Sequence, residues 1–142
     1  MILTTKSRYA VASIVDIAIC NKKDPINLHE ISLRQNISIN YLEQIFCKLK
    51  NAGLVNAFKG PGGGYTLARS VGQISIKHII DAVEESLEMT KCGNDKHKRC
   101  LKQSAKCFTH DLWQNLGDQI ALYLSGISIK DVIENNLISK TF

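Results

Sequence analysis

The sequence predicts a mainly α-helical fold with a small β wing, in which a winged helix-turn-helix is followed by a long dimerisation helix. Three observations lead to this prediction. Two short helices with marked N-caps follow each other between residues 27 and 52, a glycine-rich hairpin comes directly after them, and apolar residues repeat at helical spacing near the C-terminus. We therefore divide the chain into residues 1–70, the winged helix-turn-helix, and residues 71–142, a cysteine-rich loop with the dimerisation helices.

Length and composition favour a protein of the reducing cytoplasm without a membrane-spanning segment. At 142 residues, of which 44% are hydrophobic, the chain is long enough to bury a core without disulfide support. The apolar stretch near the N-terminus is interrupted by Asp16 and lacks a small-residue cleavage site, and no apolar run approaches the roughly 18 residues of a membrane span. In a reducing compartment, clustered cysteines are metal ligands or redox groups more often than disulfides.

The positive charge of the chain is concentrated in its first half. Residues 1–70 hold nine Lys or Arg against four Asp or Glu, whereas residues 71–142 hold nine against nine, so the whole net charge of +5 belongs to the first half. An uneven distribution of this kind favours contact between that half and a polyanion such as nucleic acid.

The first half begins with three predicted helices. Apolar spacing indicates a helix from Thr5 to Asn21, and an Asp-Pro pair then breaks the chain. Asn27 is a suitable N-cap for a helix from Leu28 to Gln35, and Ser38 is a suitable N-cap for a helix from Ile39 to Ala52. The short connection between the second and third helices predicts a helix-turn-helix.

The third predicted helix has one apolar and one polar face. Its core stripe is predicted to contain Leu42, Ile45, Phe46 and Leu49. Its outward face is predicted to present Asn40, Glu43, Gln44, Cys47 and Lys48. In a recognition helix, Asn and Gln can pair with adenine, and Glu can accept a hydrogen bond from the cytosine amino group. A simply solvated polar face is the alternative interpretation.

A glycine-rich hairpin follows the helix-turn-helix. Two short strands, Leu54 to Phe58 and Tyr65 to Ala68, are predicted on either side of the segment Lys-Gly-Pro-Gly-Gly-Gly at residues 59–64. A nucleotide-binding phosphate loop is the rival interpretation, but the segment lacks Gly-Lys-Ser/Thr and leads from strand to strand. We interpret the hairpin as a wing whose Lys59 can reach a phosphate or the minor groove.

The second half is predicted to be helical again. Helices are expected from Ile76 to about Ser86, from Thr109 to Ser125 and from Ile129 to Asn136. The apolar positions of the long middle helix are Trp113, Leu116, Ile120 and Tyr123. Pairing with its copy in a dimer and packing on its own domain both remain open for this helix.

A polar, electropositive loop carries four soft or borderline metal ligands. Cys92, Cys100, Cys107 and His110 are separated by seven, six and two residues. Three thiolates and one imidazole can hold zinc in a closed Cys3His site or an iron-sulfur cluster. The Cys107–His110 spacing suits zinc, whereas the two longer gaps suit it poorly. A disulfide switch is a further alternative.

Several segments together make the sequence similar to the IscR family of bacterial regulators. They are residues 5–10 (Thr-Lys-Ser-Arg-Tyr-Ala), 38–44 (Ser-Ile-Asn-Tyr-Leu-Glu-Gln), 59–65 (Lys-Gly-Pro-Gly-Gly-Gly-Tyr) and the cysteine loop, in register over residues 1 to about 136. The resemblance implies a dimeric winged-helix transcription factor that binds operator DNA and regulates iron-sulfur cluster assembly genes. It also implies a [2Fe-2S] cluster, with iron-sulfur assembly scaffold proteins as its source.

The resemblance assigns roles to particular residues. Its cluster ligands would be Cys92, Cys100, Cys107 and His110. From the polar side of the third helix and from the wing, we predict DNA contacts by Asn40, Tyr41, Glu43, Gln44, Lys48, Lys59, Gly60 and Gly62. The cysteine spacings are slightly longer than the usual pattern, and Lys59 replaces a common Arg, which removes bidentate contacts. A neutral imidazole among thiolates should make the cluster easier to lose.

Other functions remain as alternatives. Related winged-helix regulators sense nitric oxide, redox state or cysteine supply, and an electron carrier could use the same cluster. The wing and the basic first half favour a regulator over a carrier. The sequence has no paired carboxylates, nucleophile-base pair or nucleotide fingerprint, so we do not expect an enzyme.

Overall fold

The structure, a computed structural model, describes residues 3–20, 23–83, 87, 89 and 107–137. Within these ranges it contains helices and one two-stranded antiparallel sheet, which confirms the predicted mainly α-helical fold with a β wing. The elements are α1 (Thr5–Cys20), α2 (Leu28–Gln35), α3 (Ile39–Asn51), β1 (Val55–Phe58), β2 (Gly64–Leu67), α4 (Ile76–Ala82), α5 (His110–Gly126) and α6 (Ile129–Ile133).

Side-chain N-caps and one left-handed residue determine where the helices of the helix-turn-helix begin and end. The Asn27 side chain accepts a hydrogen bond from the Glu30 amide at 2.9 Å, and the Ser38 side chain accepts one from the Tyr41 amide at 3.3 Å. Between the two helices, Asn36 adopts the left-handed conformation with φ of 53°, which ends α2. Both predicted N-caps are confirmed.

The hairpin forms the predicted wing. Val55 pairs with Leu67 and Phe58 pairs with Gly64, and the tip is closed by a hydrogen bond from the Gly63 amide to the Gly60 carbonyl at 2.9 Å. Gly60 and Gly62 have φ of 90° and 75°. These glycines are needed because other residues seldom adopt such angles.

One buried core spans both halves of the sequence. It includes apolar side chains from α1, α2 and α3, together with Ile74, Ile79, Ile80, Ile127 and Ile129 from the second half. The starts of α4 and α6 lie side by side, because the Ile76 amide donates to the Ile127 carbonyl and the Ile129 amide to the Ile74 carbonyl, both at 2.9 Å. Because both halves share this core, the predicted boundary at residue 70 concerns which half performs which function and not two separately folded units. It stays a prediction.

Some predicted helix ends differ from the observed ones. Helix α6 ends at Ile133 rather than Asn136, because Asn135 has a left-handed φ of 53° that does not continue a helix. Helix α4 ends at Ala82, before the predicted Ser86, which lies outside the described residues. Asn21, the predicted end of α1, also lies outside the described residues.

The apolar side chains of helix α5 are only partly buried. None of its residues is buried, and Trp113, Leu116 and Tyr123 remain 39%, 40% and 37% exposed. Contacts with α4 therefore leave much of this stripe uncovered. Among the described helices, none combines the length and apolar character that crossing a bilayer requires.

Candidate nucleic-acid interface and metal ligands

Helix α3 separates its core stripe from its polar face as the spacing predicts. The stripe of Leu42, Ile45, Phe46 and Leu49 is fully buried. The opposite side presents four exposed side chains, Asn40, Glu43, Gln44 and Cys47. Tyr41 and Lys48 are half-buried at the edges of this side. The helix therefore offers hydrogen-bonding groups over its first turns, where a recognition helix contacts base edges.

The first turn of α3 is supported from α1. The rings of Tyr9 and Tyr41 meet edge to face, with centroids 5.6 Å apart and an interplanar angle of 90°. This arrangement is a favourable one for aromatic pairs. Because Tyr41 belongs to the predicted DNA contacts, the pair joins α1 to the polar side of α3.

A partly buried ion pair fixes α1 against α2. Asp16 is only 6% exposed, and it accepts hydrogen bonds from Arg34 Nε at 3.0 and 3.1 Å and from Arg34 Nη2 at 2.6 Å. Gln35 Nε2 donates to the same carboxylate at 2.9 Å. Sequence reasoning missed this network, although a single Asp inside the apolar stretch of α1 was a usable signal.

Two opposing effects set the pKa of Asp16. Burial raises the pKa of its carboxyl, but the hydrogen bonds from Arg34 and Gln35, with the charge of Arg34, lower it more, so the pKa lies below its ordinary value. Hydrogen bonding to Asp16 is the largest reason why the pKa of Arg34 is raised. Both groups are therefore held in their charged forms at neutral pH.

The wing is held against the helix-turn-helix at Tyr65. Its ring lies 4.7 Å from the Phe46 ring between centroids, and its backbone forms a β-bridge with Ile26, just before α2. Burial raises the pKa of the Tyr65 phenol, and the neighbouring Cys47 and Glu43 raise it further. Lys59 is exposed next to the glycine tip of the wing.

Two of the four predicted metal ligands lie in one turn at the start of α5. The His110 amide donates to the Cys107 carbonyl at 3.1 Å, and both side chains are half-buried. The Thr109 hydroxyl lies 3.7 Å from the Cys107 sulfur and does not cap the helix. Cys92 and Cys100 lie outside the described residues, so the four-ligand set stays a prediction.

The donor chemistry of this turn fits a metal centre. One thiol and one imidazole three residues apart can bind a single iron or zinc ion. The N-terminal end of α5 carries partial positive charge, which favours an anionic ligand beside it. Within the described ranges, no group of three or more His, Cys, Asp or Glu side chains is placed to hold a metal, so further ligands would have to come from outside them.

The capped helix-turn-helix, the polar face of α3 and the adjacent wing define a winged-helix DNA-binding protein. A family model described as "Rrf2: Iron-dependent Transcriptional regulator" matches residues 3–135. The chain therefore belongs to the Rrf2 family of transcriptional regulators. The members of this family regulate transcription, so the protein is a DNA-binding regulator and not an enzyme.

Individual relatives agree with this assignment. The HTH-type transcriptional regulator IscR of Xenorhabdus nematophila is 42% identical over 135 residues, which cover 95% of this chain and 80% of that protein. The structure is similar to that of T. potens IscR, with a TM-score of 0.76, 29% identity and coverage of 100% of this chain and 93% of that one. It is also similar to CymR, the global cysteine regulator of B. subtilis, with a TM-score of 0.77, 26% identity and coverage of 95% and 98%.

Proposed function

We propose that the protein is a cytoplasmic, homodimeric regulator, mainly a repressor, that senses iron-sulfur cluster status through a [2Fe-2S] cluster and controls cluster assembly genes. The observation that carries the DNA-binding part is the exposed polar face of α3 beside the wing. The similarity to IscR proteins supports the choice of signal.

In this proposal, α3 reads bases and the wing contacts the backbone. Asn40 and Gln44 can pair with adenine, whereas Glu43 is favourable only where a cytosine amino group or another donor meets its carboxylate. Tyr41, Lys48, Lys59, Gly60 and Gly62 complete the proposed contacts. Lys59 supplies a positive charge, and the wing glycines let the backbone approach DNA closely.

The proposed cluster is held by Cys92, Cys100, Cys107 and His110 and is delivered by an iron-sulfur assembly scaffold. The presence of the bound cluster would depend on the supply of iron and sulfide. The turn that holds Cys107 and His110 is continuous with α5. Binding there can therefore alter the start of the long helix, and a Cys3His zinc site remains the alternative occupant.

The proposed dimer uses the stripe of α5 that its own chain leaves partly exposed. Trp113, Leu116 and Tyr123 are partly exposed apolar side chains on α5, and Leu112 and Leu122 on the same helix are exposed as well. Burying such a stripe against a second copy is favourable because apolar area leaves water. A dimer would also place two copies of α3 on successive half-sites of one operator.

Replacing Lys59 by alanine should weaken binding to all DNA sequences by a similar factor. A phosphate contact contributes no sequence information, and its loss should reduce the slope of log affinity against log salt by about one unit. Fluorescence anisotropy over a range of salt concentrations measures this slope. The Lys130→Ala variant is the matched control, because Lys130 is an exposed lysine on α6, outside the proposed interface. Equal slopes for Lys59→Ala and the parent protein would remove Lys59 from the backbone contacts.

Glu43 provides the test of cluster-dependent DNA recognition. We expect apo and cluster-loaded dimers to select different motifs from a randomised operator pool. In this hypothesis, cluster binding acts through the long helix α5 to shift the recognition helix of the dimer partner, which would present the Glu43 carboxylate differently to the groove. The Glu43→Ala variant should select more similar motifs in the two states. Glu134→Ala is the control, since Glu134 is an exposed acidic residue directly after α6.

The selection experiment separates the parts of the proposal. Identical motifs for the apo and loaded parent protein would refute cluster-dependent recognition. Distinct motifs that persist unchanged in Glu43→Ala would retain the coupling and exclude Glu43 as its reader. Absence of any selected motif in both states would refute sequence-specific DNA binding through this face.

A further inference from the structure

Three elements of the winged helix meet at Tyr65. The residue belongs to β2, pairs through its backbone with Ile26 ahead of α2, and packs its ring on Phe46 of α3. It is half-buried, and it lies directly beyond the glycine tip of the wing. Tyr65 is not one of the proposed DNA contacts.

The backbone pairing adds a third extended segment to the two strands of the wing. The Ile26 amide donates to the Tyr65 carbonyl at 3.0 Å, and the Tyr65 amide donates to the Ile26 carbonyl at 2.8 Å. Gly64 permits this close approach, because a Cβ at that position would lie 2.4 Å from the Ile26 carbonyl oxygen. The base of the wing is therefore fixed to the residue that precedes the Asn27 cap of α2.

The side chain makes the second attachment, to the recognition helix itself. The Tyr65 and Phe46 rings are 4.7 Å apart and inclined at 54°, a separation at which aromatic rings attract each other. Phe46 is fully buried, so it is a rigid base for this contact. The ring contact therefore joins β2 directly to the buried side of α3.

We propose that Tyr65 is a positioning residue for DNA binding, which fixes the wing tip relative to α3 so that Lys59 and the recognition helix contact the same DNA together. The inference rests on the wing contact of the proposed function. A wing without this attachment would have to be ordered during binding, and ordering of a loop costs affinity. The ring and the backbone carry this role, whereas the hydroxyl is not required.

The test is a double-mutant cycle on DNA affinity with the full-length protein. Tyr65→Phe should bind DNA like the parent protein, because it keeps the ring. Tyr65→Leu should bind about tenfold more weakly. In the Tyr65→Leu background, Lys59→Ala should cost much less affinity than it does alone and should no longer change the salt slope, because the wing tip is no longer held on the DNA.

Other outcomes would overturn the inference in distinguishable ways. If the effects of Tyr65→Leu and Lys59→Ala on affinity simply add, Tyr65 stabilises the fold without positioning the wing. If Tyr65→Phe binds as weakly as Tyr65→Leu, the hydroxyl contacts DNA directly. If Lys59→Ala alone changes nothing, the proposed wing contact fails and the inference fails with it.

A second measurement on the parent protein applies if Tyr65→Leu does not fold. The amides of Ile26 and Tyr65 should exchange with solvent as slowly as those of α3, whereas the amides of Gly60 and Gly62 should exchange fast. Fast exchange at Ile26 and Tyr65 would show that the wing is not held before DNA binds, and it would overturn the inference.

Discussion

Alanine at Cys92, Cys100 or Cys107 is expected to leave the purified protein without an iron-sulfur cluster. Each thiolate provides both a bond and a negative charge to the iron, so removing one of the proposed ligands should abolish binding. An anaerobic absorption spectrum, with iron, sulfide and zinc measured per chain, gives the result. His110→Ala should only weaken binding, since a neutral imidazole contributes no charge.

Two controls make this result specific. Cys20 lies at the end of α1, so Cys20→Ala should keep the cluster. His97 lies between Cys92 and Cys100 in the sequence but is not a proposed ligand, so His97→Ala should keep the cluster as well. Unchanged iron and sulfide in Cys100→Ala would show that the ligand assignment is wrong. Zinc without sulfide in the parent protein would replace the proposed cluster with a zinc site.

The second large effect is expected on stability, when Arg34 is replaced by alanine. The Asp16 carboxylate would remain buried with Gln35 as its only described side-chain partner. Removing one partner of a buried ion pair costs 3–5 kcal/mol in typical cases. Because Arg34 is 36% exposed, water weakens the pair, and we expect a loss of about 2–3 kcal/mol in the free energy of unfolding at pH 7.

For the Asp16–Arg34 pair, we expect the two single substitutions to lower the free energy of unfolding by different amounts. Asp16→Ala should cost less than Arg34→Ala, because the Arg34 guanidinium is partly solvated and also lies 3.5 Å from Glu30. The double variant should be close to Asp16→Ala, since no unpaired carboxylate is left. Urea denaturation of the four proteins measures the cycle, and a larger loss for Asp16→Ala than for Arg34→Ala would contradict the explanation.

The stability of the parent protein should also depend on pH through Asp16. The pKa of this carboxyl is lowered in the folded protein, so its contribution is complete above the unfolded value of about 3.9 and is lost as pH falls through the folded value. In the Arg34→Ala variant, burial still raises the pKa of the Asp16 carboxyl, but the Arg34 guanidinium that lowers it in the parent protein is absent. The difference in stability between the two proteins should therefore shrink below about pH 4.

The elements that the sequence predicted well are those that local chemistry determines. The N-caps Asn27 and Ser38 act within three residues of their own position, and the two faces of α3 follow from helical spacing alone. The positions of the wing strands were predicted because glycines mark the turn between them. The apolar spacing of α5 likewise predicted its start to within one residue.

The contacts that sequence reasoning missed join residues far apart in the chain. Asp16 and Arg34 are 18 residues apart, and Ile26 and Tyr65 are 39 residues apart, so no local pattern relates them. The early end of α6 is accompanied by the left-handed backbone of Asn135, which apolar spacing does not report. Of the predicted metal ligands, Cys107 and His110 are close in sequence and lie in one turn, whereas Cys92 and Cys100 lie outside the described residues, so the four-ligand set stays a prediction.

The starts of α4 and α6 pair with each other, because the Ile76 amide donates to the Ile127 carbonyl and the Ile129 amide donates to the Ile74 carbonyl. Both paired segments also contribute to the core that packs α1, α2 and α3. In the sequence, the four proposed cluster ligands all lie between these two segments. A change of length or ligand content between them therefore leaves both ends of that part of the sequence attached to the same core, so that one winged helix is compatible with exchangeable ligand sets.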